Sequence, residues 1–495
     1  MKQLLAIFLI TISLSLFTDN SLFANSSTDI LTLNEVVSEG GGGHEAEHHL
    51  PSALSVIPFV ILLVMIATGP LFYEHFWHKN YPKVAILLAC IVIGYYVFVL
   101  HNTHGPIHAF FEYVQFIALL SSLYIASGGI LIEIDKKGKP IINVILLFIG
   151  AVISNIIGTT GASMLLIRPF IRLNKSRIKP YHIIFFIFTV SNIGGSLTPI
   201  GDPPLFLGFL KGVPFSWTLT HNFFPWLFTV ILFCIIFYFF DSRNKEINPL
   251  FADEPENYSS KIKITGAKNF LWLGVVIAAV FLDPNVKGFE WVPSIPYDGQ
   301  NFSFVRELIM FSVAFMSFKF ASQEAIKGNE FNFEPIREVA FIFVGIFGTM
   351  MPALELVASF AASDAGRELI SHNTLYWGTG FLSGFLDNAP TYLNFLTAAI
   401  AAQGGSISEK MDVVNFAYGM GDFTNSVVQL TAISVGAVFF GAMTYIGNGP
   451  NFMVKSIAEQ IGIQMPSFFG YIIRFSLPIL LPTLVIVWLI FFAFL

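Results

Sequence analysis

Charged residues are scarce in this chain of 495 residues, since Asp, Glu, Lys and Arg together make up only 12% of it. An average soluble domain has about 25%. Hydrophobic residues reach 55%, and the mean hydropathy is +0.70. Such a chain indicates an all-α polytopic membrane protein with the lipid bilayer as its surroundings. The net charge of −6 provides no basic surface, so we expect no nucleic-acid partner.

Cysteine and nucleotide-binding motifs are also scarce or missing. The two cysteines, Cys90 and Cys234, lie in separate apolar runs, which excludes a disulfide framework and a zinc-type spacing. The sequence contains no GxxxxGK[ST] phosphate loop, which weighs against a built-in ATP motor. We therefore expect that the protein binds no cofactor and is not an enzyme.

A zinc-protease pattern does occur near the N-terminus, in the stretch HEAEH at 44–48. That chemistry needs both histidines on one face of a rigid helix. Four glycines precede the motif and Pro51 follows it closely, so we do not expect a stable helix or a metal site. Residues 25–50 are predicted to form a flexible periplasmic tail.

The first 24 residues have the features of a secretory signal peptide. Lys2 precedes an apolar core from Leu4 to Phe17, and small or polar residues follow up to Ala24. An uncleaved membrane anchor is the alternative, because Leu22 makes a poor cleavage site. Removal of residues 1–24 would leave the N-terminus in the periplasm.

Twelve apolar regions follow, and about 20 apolar residues are needed to cross a bilayer. Eight are uninterrupted and lie near 52–72, 84–100, 109–134, 222–240, 269–283, 304–320, 339–360 and 475–495. Four contain helix-breaking residues and lie at 141–167, 181–212, 374–402 and 424–461.

The distribution of basic residues predicts the orientation of these regions. If 141–167 and 374–402 are hairpins that enter and leave on one side, 20 of the 26 Lys and Arg residues fall inside and five outside. This bias is the positive-inside pattern. It predicts a multi-pass protein of the bacterial inner membrane, with hairpin tips at 158–163 and 387–392.

Two interrupted regions share a pattern, which indicates an internal repeat. The stretch TPIGDPPLF at 198–206 and the stretch TYIGNGPNF at 444–452 match in Thr, Ile, Gly, Asp/Asn, Pro and Phe. Each follows a predicted hairpin, so we assign 51–240 to repeat 1, 241–268 to a cytoplasmic linker and 269–495 to an inverted repeat 2. Paired interrupted helices in inverted repeats point to a secondary transporter with its site at the midplane.

The hairpin tips and helix breaks supply the candidate ligands. Glycines allow tight turns, hydroxyl and amide groups offer oxygen atoms to a cation such as sodium, and freed helix N-termini suit an anion. The candidate ion or substrate ligands are Gly158, Thr159, Thr160, Ser163, Asn192, Thr198, Gly201, Asp202, Asp387, Asn388, Thr391, Thr444, Gly447 and Asn448.

Asp202 and Asp387 matter most, because a carboxylate inside the membrane is costly and marks a functional site by default. Burial favours its protonated form and a bound cation its ionised form, so one site can exchange a proton for sodium. For Asp202 the alternative is a capping role on the helix that begins near Leu205. Arg168, at the end of the first hairpin, is interpreted as a snorkelling anchor at the cytoplasmic face.

The stretches GTTGASMLLIRP, SNIGGSLTPIGDPPLFLGFLKGVPF and FLDNAPTYLNF resemble the ion-transporter superfamily. That superfamily includes citrate and dicarboxylate carriers, the arsenite channel and NhaD-type sodium/proton antiporters; the nearest resemblance is to citrate-transporter-like (CitMHS-like) proteins. The resemblance implies two re-entrant hairpins, a site between hairpin tips and broken helices, elevator-like movement and a homodimer. Dicarboxylate carriers have Ser-Asn-Thr at the tips, whereas the tips here read Gly-Thr-Thr and Asp-Asn-Ala.

Two functions fit these features. A sodium/proton antiporter is favoured by the two carboxylates. It is also favoured because we expect no buried Arg or Lys that could hold a carboxylate substrate. The alternative is a cation-coupled citrate or dicarboxylate carrier, in which hydroxyl groups and helix N-termini bind the anion. In both cases Na⁺ and H⁺ are transported or coupling ions rather than cofactors.

Overall fold

A computed structural model describes residues 50–134, 136, 138–244, 261–284, 288–297 and 300–494. The predicted signal peptide and the HEAEH stretch lie outside these residues. Within the described ranges, nine helices are long and apolar enough to cross a membrane. The predicted all-α polytopic fold is confirmed.

Eight helices lie in the described residues of the first half of the chain. They are α1 (Ile57–Phe72), α2 (Glu74–Phe98), α3 (His104–Gly128), α4 (Pro140–Leu173), α5 (Pro180–Thr189), α6 (Pro203–Lys211), α7 (Phe215–His221) and α8 (Phe223–Ser242). Short 3₁₀ turns cover Ala53–Val56 and Ile193–Leu197. The second turn separates α5 from α6, so the apolar region 181–212 is a broken helix as predicted.

Twelve helices lie in the described residues of the second half. Its helices are α9 (Lys268–Val280), α10 (Val305–Lys319), α11 (Gln323–Gly328), α12 (Glu334–Ala362), α13 (Asp364–Leu369), α14 (His372–Phe385), α15 (Asn388–Ala401), α16 (Lys410–Tyr418), α17 (Ser426–Phe440), α18 (Gly449–Gln460), α19 (Phe468–Tyr471) and α20 (Leu481–Phe491). A 3₁₀ turn at Gly441–Met443 separates α17 from α18, and a π-helical stretch, Ile472–Leu480, joins α19 to α20.

The long element α4 is a hairpin and not a straight helix. Its backbone is non-helical at Gly158, where φ is 78° and ψ is 156°. Asn143 and Asn174 donate hydrogen bonds to each other's side chain, at 2.7 and 2.8 Å, although 31 residues separate them. A straight helix would hold them about 46 Å apart. The predicted first hairpin is therefore confirmed, with its tip at Gly158.

The second hairpin consists of α14 and α15. The two helices are joined by Leu386 and Asp387, which have extended backbone angles. A Cβ atom on Gly378 would lie 3.0 Å from Cε1 of Phe395, which shows that the two arms pack side by side. The tip falls at the predicted DNAPTY stretch.

Two short antiparallel ribbons complete the described elements. Strand β1 (Leu131–Ile134) pairs with β2 (Ile262–Thr265), with Leu131 opposite Thr265. Strand β3 (Ile295–Tyr297) pairs with β4 (Gln300–Phe302). The first ribbon joins the end of α3 to the start of α9, and so connects the two halves of the chain.

Apolar side chains cover much of the outside, while polar side chains lie within. Leu87, Leu271 and Leu308 are exposed, whereas Asn143 and Ser163 are fully buried. This arrangement suits a protein whose outer surface faces lipid. Helix α12 packs against α2, α3 and α15, which brings the second hairpin next to helices of the first half.

Candidate functional site

Each helix break is closed by a pair of glycines in backbone contact. In the first break a Cβ atom on Gly195 would lie 2.6 Å from the carbonyl oxygen of Gly201. In the second break a Cβ atom on Gly447 would lie 2.6 Å from the carbonyl oxygen of Gly441. The same two backbone crossings in both breaks explain why glycine occurs at these positions in both halves.

The two repeat threonines bind the breaks to the hairpins. The Thr198 hydroxyl donates to the carbonyl of Asn155 at 2.6 Å, and the Thr444 hydroxyl donates to the carbonyl of Gly384 at 2.7 Å. Each hydroxyl also accepts from a glycine N–H at 3.1 Å, from Gly201 and Gly447 respectively. These contacts place each break against the hairpin of its own half.

The tip of the first hairpin contacts the first break through its backbone. Gly158 has a positive φ, and the next residue, Thr159, donates its backbone N–H to the carbonyl of Gly201 at 2.8 Å. A Cβ atom on Gly158 would lie 3.2 Å from the carbonyl oxygen of Ile200. The tip is thus fixed beside Asp202.

Asp202 is the point where both hairpins and both breaks meet. Its side chain is buried, with 1% of the residue exposed. Oxygen Oδ1 accepts from the Thr159 hydroxyl at 2.7 Å and from Asn448 Nδ2 at 2.9 Å. Oxygen Oδ2 accepts from Asn388 Nδ2 at 2.7 Å. One carboxylate therefore binds the first hairpin, the second hairpin and the second break at once.

The capping role considered for Asp202 is wrong. The residue precedes α6, but its side chain makes no capping hydrogen bond. A cap accepts from the N–H of the second or third helical residue. Pro204 occupies the second position and has no N–H, while the N–H of Leu205 bonds to the backbone carbonyl of Asp202. The prolines leave the carboxylate available for other partners.

Asp387 combines a capping role with exposure to a cavity. Its Oδ1 accepts from the N–H of Ala389 at 3.0 Å, at the start of α15. The Thr391 hydroxyl donates to the backbone carbonyl of Asp387 at 2.9 Å. Asp387 is half-buried and lines the cavity, whereas Asp202 is enclosed by its three donors.

A cavity of about 460 Å³ extends from this meeting point to the protein surface. At the inner end it is lined by Gly158, Thr159, Thr160, Gly201, Asp387 and Asn448. Further out it is lined by Arg168, Glu330, Glu334 and Glu338. Of the candidate threonines and serines, Thr159 and Thr160 line this cavity next to the tip.

Arg168 lies in the cavity wall, and its interpretation as a snorkelling anchor is wrong. Only 7% of its side chain is exposed, and Nη2 pairs with Glu330 Oε2 at 3.1 Å. The expectation that no buried Arg or Lys faces the site is also wrong. The sequence could not indicate this, because the partner is 162 residues away.

Two remaining candidates lie behind the site. Asn192 Nδ2 donates to Asn451 Oδ1 at 2.7 Å, and the hydroxyl groups of Ser163 and Ser191 are 2.7 Å apart. Asn451, which also donates to the carbonyls of Gly441 and Thr444, is absent from the predicted set. The repeat offers a signal for it, because the matching position of the first break is a leucine.

Four helix N-termini surround the meeting point. The second arm of α4 begins at Thr159, α6 at Pro203, α15 at Asn388 and α18 at Gly449. Helix N-termini carry partial positive charge and favour anions nearby. Asp202 and Asp387 stand at two of these ends, so the site contains anionic groups of its own.

The chain matches the family described as "Putative citrate transport" over residues 47–492, and therefore belongs to that family. Membership makes it a multi-pass membrane protein of a transporter family. No curated protein matches the chain.

Proposed function

We propose that this member of the citrate-transport family is a secondary transporter that exchanges sodium for protons. The observation that carries the proposal is Asp202, a buried carboxylate held by Thr159, Asn388 and Asn448. Its charge acts on both hairpins and both breaks, so a change in protonation affects all four elements together. A proton and a cation bind such a group in competition, which is the basis of antiport.

The charge of the cavity supports a cation as the second ion. Four carboxylates line it, from Asp387, Glu330, Glu334 and Glu338, against the single guanidinium of Arg168. A cleft lined mainly by one sign of charge concentrates ions of the opposite sign. The cavity thus favours entry of a small cation toward the hairpin tips.

Binding of that cation would use oxygen atoms near the inner end. Asp387 and Thr160 line the cavity and carry a carboxylate and a hydroxyl group. The side-chain amides of Asn388 and Asn448 can present oxygen once they turn. In the arrangement described, both amides donate to Asp202. Sodium binding and proton release would therefore rearrange the same hydrogen bonds.

The cavity includes Glu330 and Glu334, which belong to the stretch 319–337, one of the segments that the distribution of Lys and Arg assigns to the inside. We propose that this side faces the cytoplasm of a bacterial cell, that the N-terminus is periplasmic, and that the cavity is inward-open. An impermeant thiol reagent added to intact cells should label a Glu409→Cys variant and leave a Ser322→Cys variant unlabelled. Labelling of the Ser322→Cys variant would contradict this orientation.

The antiport proposal is tested with purified protein in lipid vesicles that carry an imposed pH gradient. Added sodium should dissipate the gradient with no organic anion present. The Asp387→Asn variant should lose this response, while Glu409→Gln, which removes an exposed carboxylate outside the cavity, should retain it. A wild-type protein that leaves the gradient unchanged would sink the proposal.

A cation-coupled citrate carrier is the second candidate, and Arg168 favours it. A guanidinium in a cavity wall is a good partner for a carboxylate ligand, and nearby helix N-termini add to the attraction. This function predicts gradient-driven uptake of labelled citrate in the same vesicles. If the vesicles take up citrate, and if sodium leaves the pH gradient unchanged when no citrate is present, this candidate is favoured over antiport.

A further inference from the structure

Glu330 has a backbone conformation that is unusual for its residue type. It follows α11 with a φ of 47°, in the left-handed region where glycine is the usual residue. A side chain there strains the backbone, because its Cβ atom lies too close to the following carbonyl oxygen. Such outliers point to a functional constraint when the surroundings hold them in place.

The surroundings of Glu330 are fixed by hydrogen bonds. Asn329 Nδ2 donates to the carbonyl of Gly128 at 2.9 Å and to that of Ile130 at 2.6 Å. The N–H of Glu330 bonds to the carbonyl of Lys327 at 3.0 Å. The turn therefore keeps its shape, and glycine would fit its backbone better than glutamate does.

The contact made by the Glu330 side chain explains why glutamate occupies a position whose backbone suits glycine. Its carboxylate pairs with Arg168 at 3.1 Å, and both residues line the cavity that leads to Asp387 and Asn448. The Arg168 side chain is 7% exposed and that of Glu330 is 68% exposed. An ordinary ion pair has both partners in water and contributes little. Here the guanidinium of Arg168 is buried, and its carboxylate partner belongs to Glu330 in an exposed turn.

We propose that Glu330 acts as an internal carboxylate ligand of Arg168, and that the pair sets the selectivity of the cavity against small carboxylates such as citrate. The inference rests on the proposed cation antiport, since it explains how a cavity with a buried arginine keeps its preference for cations. With Glu330 in place, an external carboxylate must displace a tethered one. Without it, Arg168 forms an anion subsite of the kind that guanidinium groups provide.

The test is calorimetric titration of citrate into purified full-length protein, for the wild type and two variants. Glu330→Gly removes the carboxylate and relieves the backbone, and Glu330→Gln removes the charge alone. Both variants should bind citrate about tenfold more tightly than the wild type. Removing one partner of an exposed ion pair has a small effect and removing one partner of a buried pair a larger one, and this pair has one buried and one exposed partner. Because glycine suits the turn, Glu330→Gly should melt no lower than Glu330→Gln.

Two further variants show where the anion binds. The double variant Arg168→Gln with Glu330→Gly should lose the gain in citrate affinity. Glu334→Gln removes another cavity carboxylate, one that pairs with Arg337 instead, and should give a smaller gain than either Glu330 variant. Equal citrate affinity in the wild type and both Glu330 variants would overturn the proposal. So would a gain that persists in the double variant.

The outcome is separable from that of the antiport assay. The sodium response of the wild type tests the proposed function without citrate, while the affinity differences test the ion pair without transport. A wild type that exchanges sodium for protons, with no gain in the Glu330 variants, rejects only the selectivity role. A wild type without a sodium response, whose variants gain citrate affinity, rejects antiport and retains the competition between Glu330 and citrate.

Discussion

Two substitutions of Asp202 should separate its charge from its hydrogen bonds. Asp202→Ala leaves three buried donors without their acceptor, from Thr159, Asn388 and Asn448. Each unsatisfied buried donor costs about 1–3 kcal/mol. The hydroxyl can rotate to another acceptor whereas the two amides have less freedom, so we expect a loss of about 2–6 kcal/mol. This is a large fraction of the stability of a folded protein.

Asp202→Asn removes the charge but retains most of the bonding. Its amide oxygen can accept from Thr159 and Asn448, and its NH₂ group can donate to Asn388 after that amide turns over. We expect a cost of no more than about 1–2 kcal/mol. The order of stability should therefore be wild type, Asp202→Asn, then Asp202→Ala, whereas both variants should lose sodium-driven proton movement.

The assay combines apparent melting temperatures in detergent with the vesicle measurement of the pH gradient. If Asp202→Ala melts at the same temperature as Asp202→Asn, the three hydrogen bonds do not hold the four elements together. If Asp202→Asn still moves protons in response to sodium, Asp202 is not the group whose charge couples the two ions. Either result would refute its part of the reasoning.

Two further predictions concern the hairpin tips. Asp387→Asn should abolish antiport and leave the melting temperature nearly unchanged, because asparagine caps a helix as well as aspartate does; an unchanged sodium response would contradict its role. Gly158→Ala should reduce the stability by roughly 1–3 kcal/mol, lower the melting temperature accordingly and weaken transport. The reason is that φ is 78° and the new Cβ atom would lie 3.2 Å from the carbonyl oxygen of Ile200. Gly274→Ala is the matched control and should be neutral, because a Cβ atom on Gly274 in α9 would meet no neighbouring atom within 4 Å outside the backbone of its own helix.

The fold was predictable because membrane constraints are strict. Every backbone polar group in a bilayer needs a partner, so clusters of glycine, proline and polar residues within apolar runs favour a break or a hairpin tip that lies against protein. Single residues such as Pro352 remain inside a continuous helix. Basic residues on both sides of 141–167 required its ends to lie on one side of the membrane, and the bonds between Asn143 and Asn174 agree. The repeat then located the two breaks at Asp202 and Asn448.

The contacts of individual side chains were less predictable. The burial of Arg168 depends on a turn at 328–331 that is distant in sequence, and an apolar helix gives no sign of which face meets lipid and which meets a cavity. The partners of Asp202 follow in part from local chemistry. Pro204 removes the N–H of the second helical position, one of the two that a capping carboxylate would use, and this feature is visible in the sequence.

The difference between the two breaks is what makes them a site. Asp202 and Asn448 occupy equivalent positions in the repeat, and the structure brings them into direct contact, with Asn448 Nδ2 2.9 Å from Asp202 Oδ1. Two aspartates at this distance could not both be ionised. Two asparagines would form the same contact but would carry no charge that a proton or a cation could change. One aspartate and one asparagine give a single ionisable group that both halves of the chain bind, so that its charge state can act on both repeats.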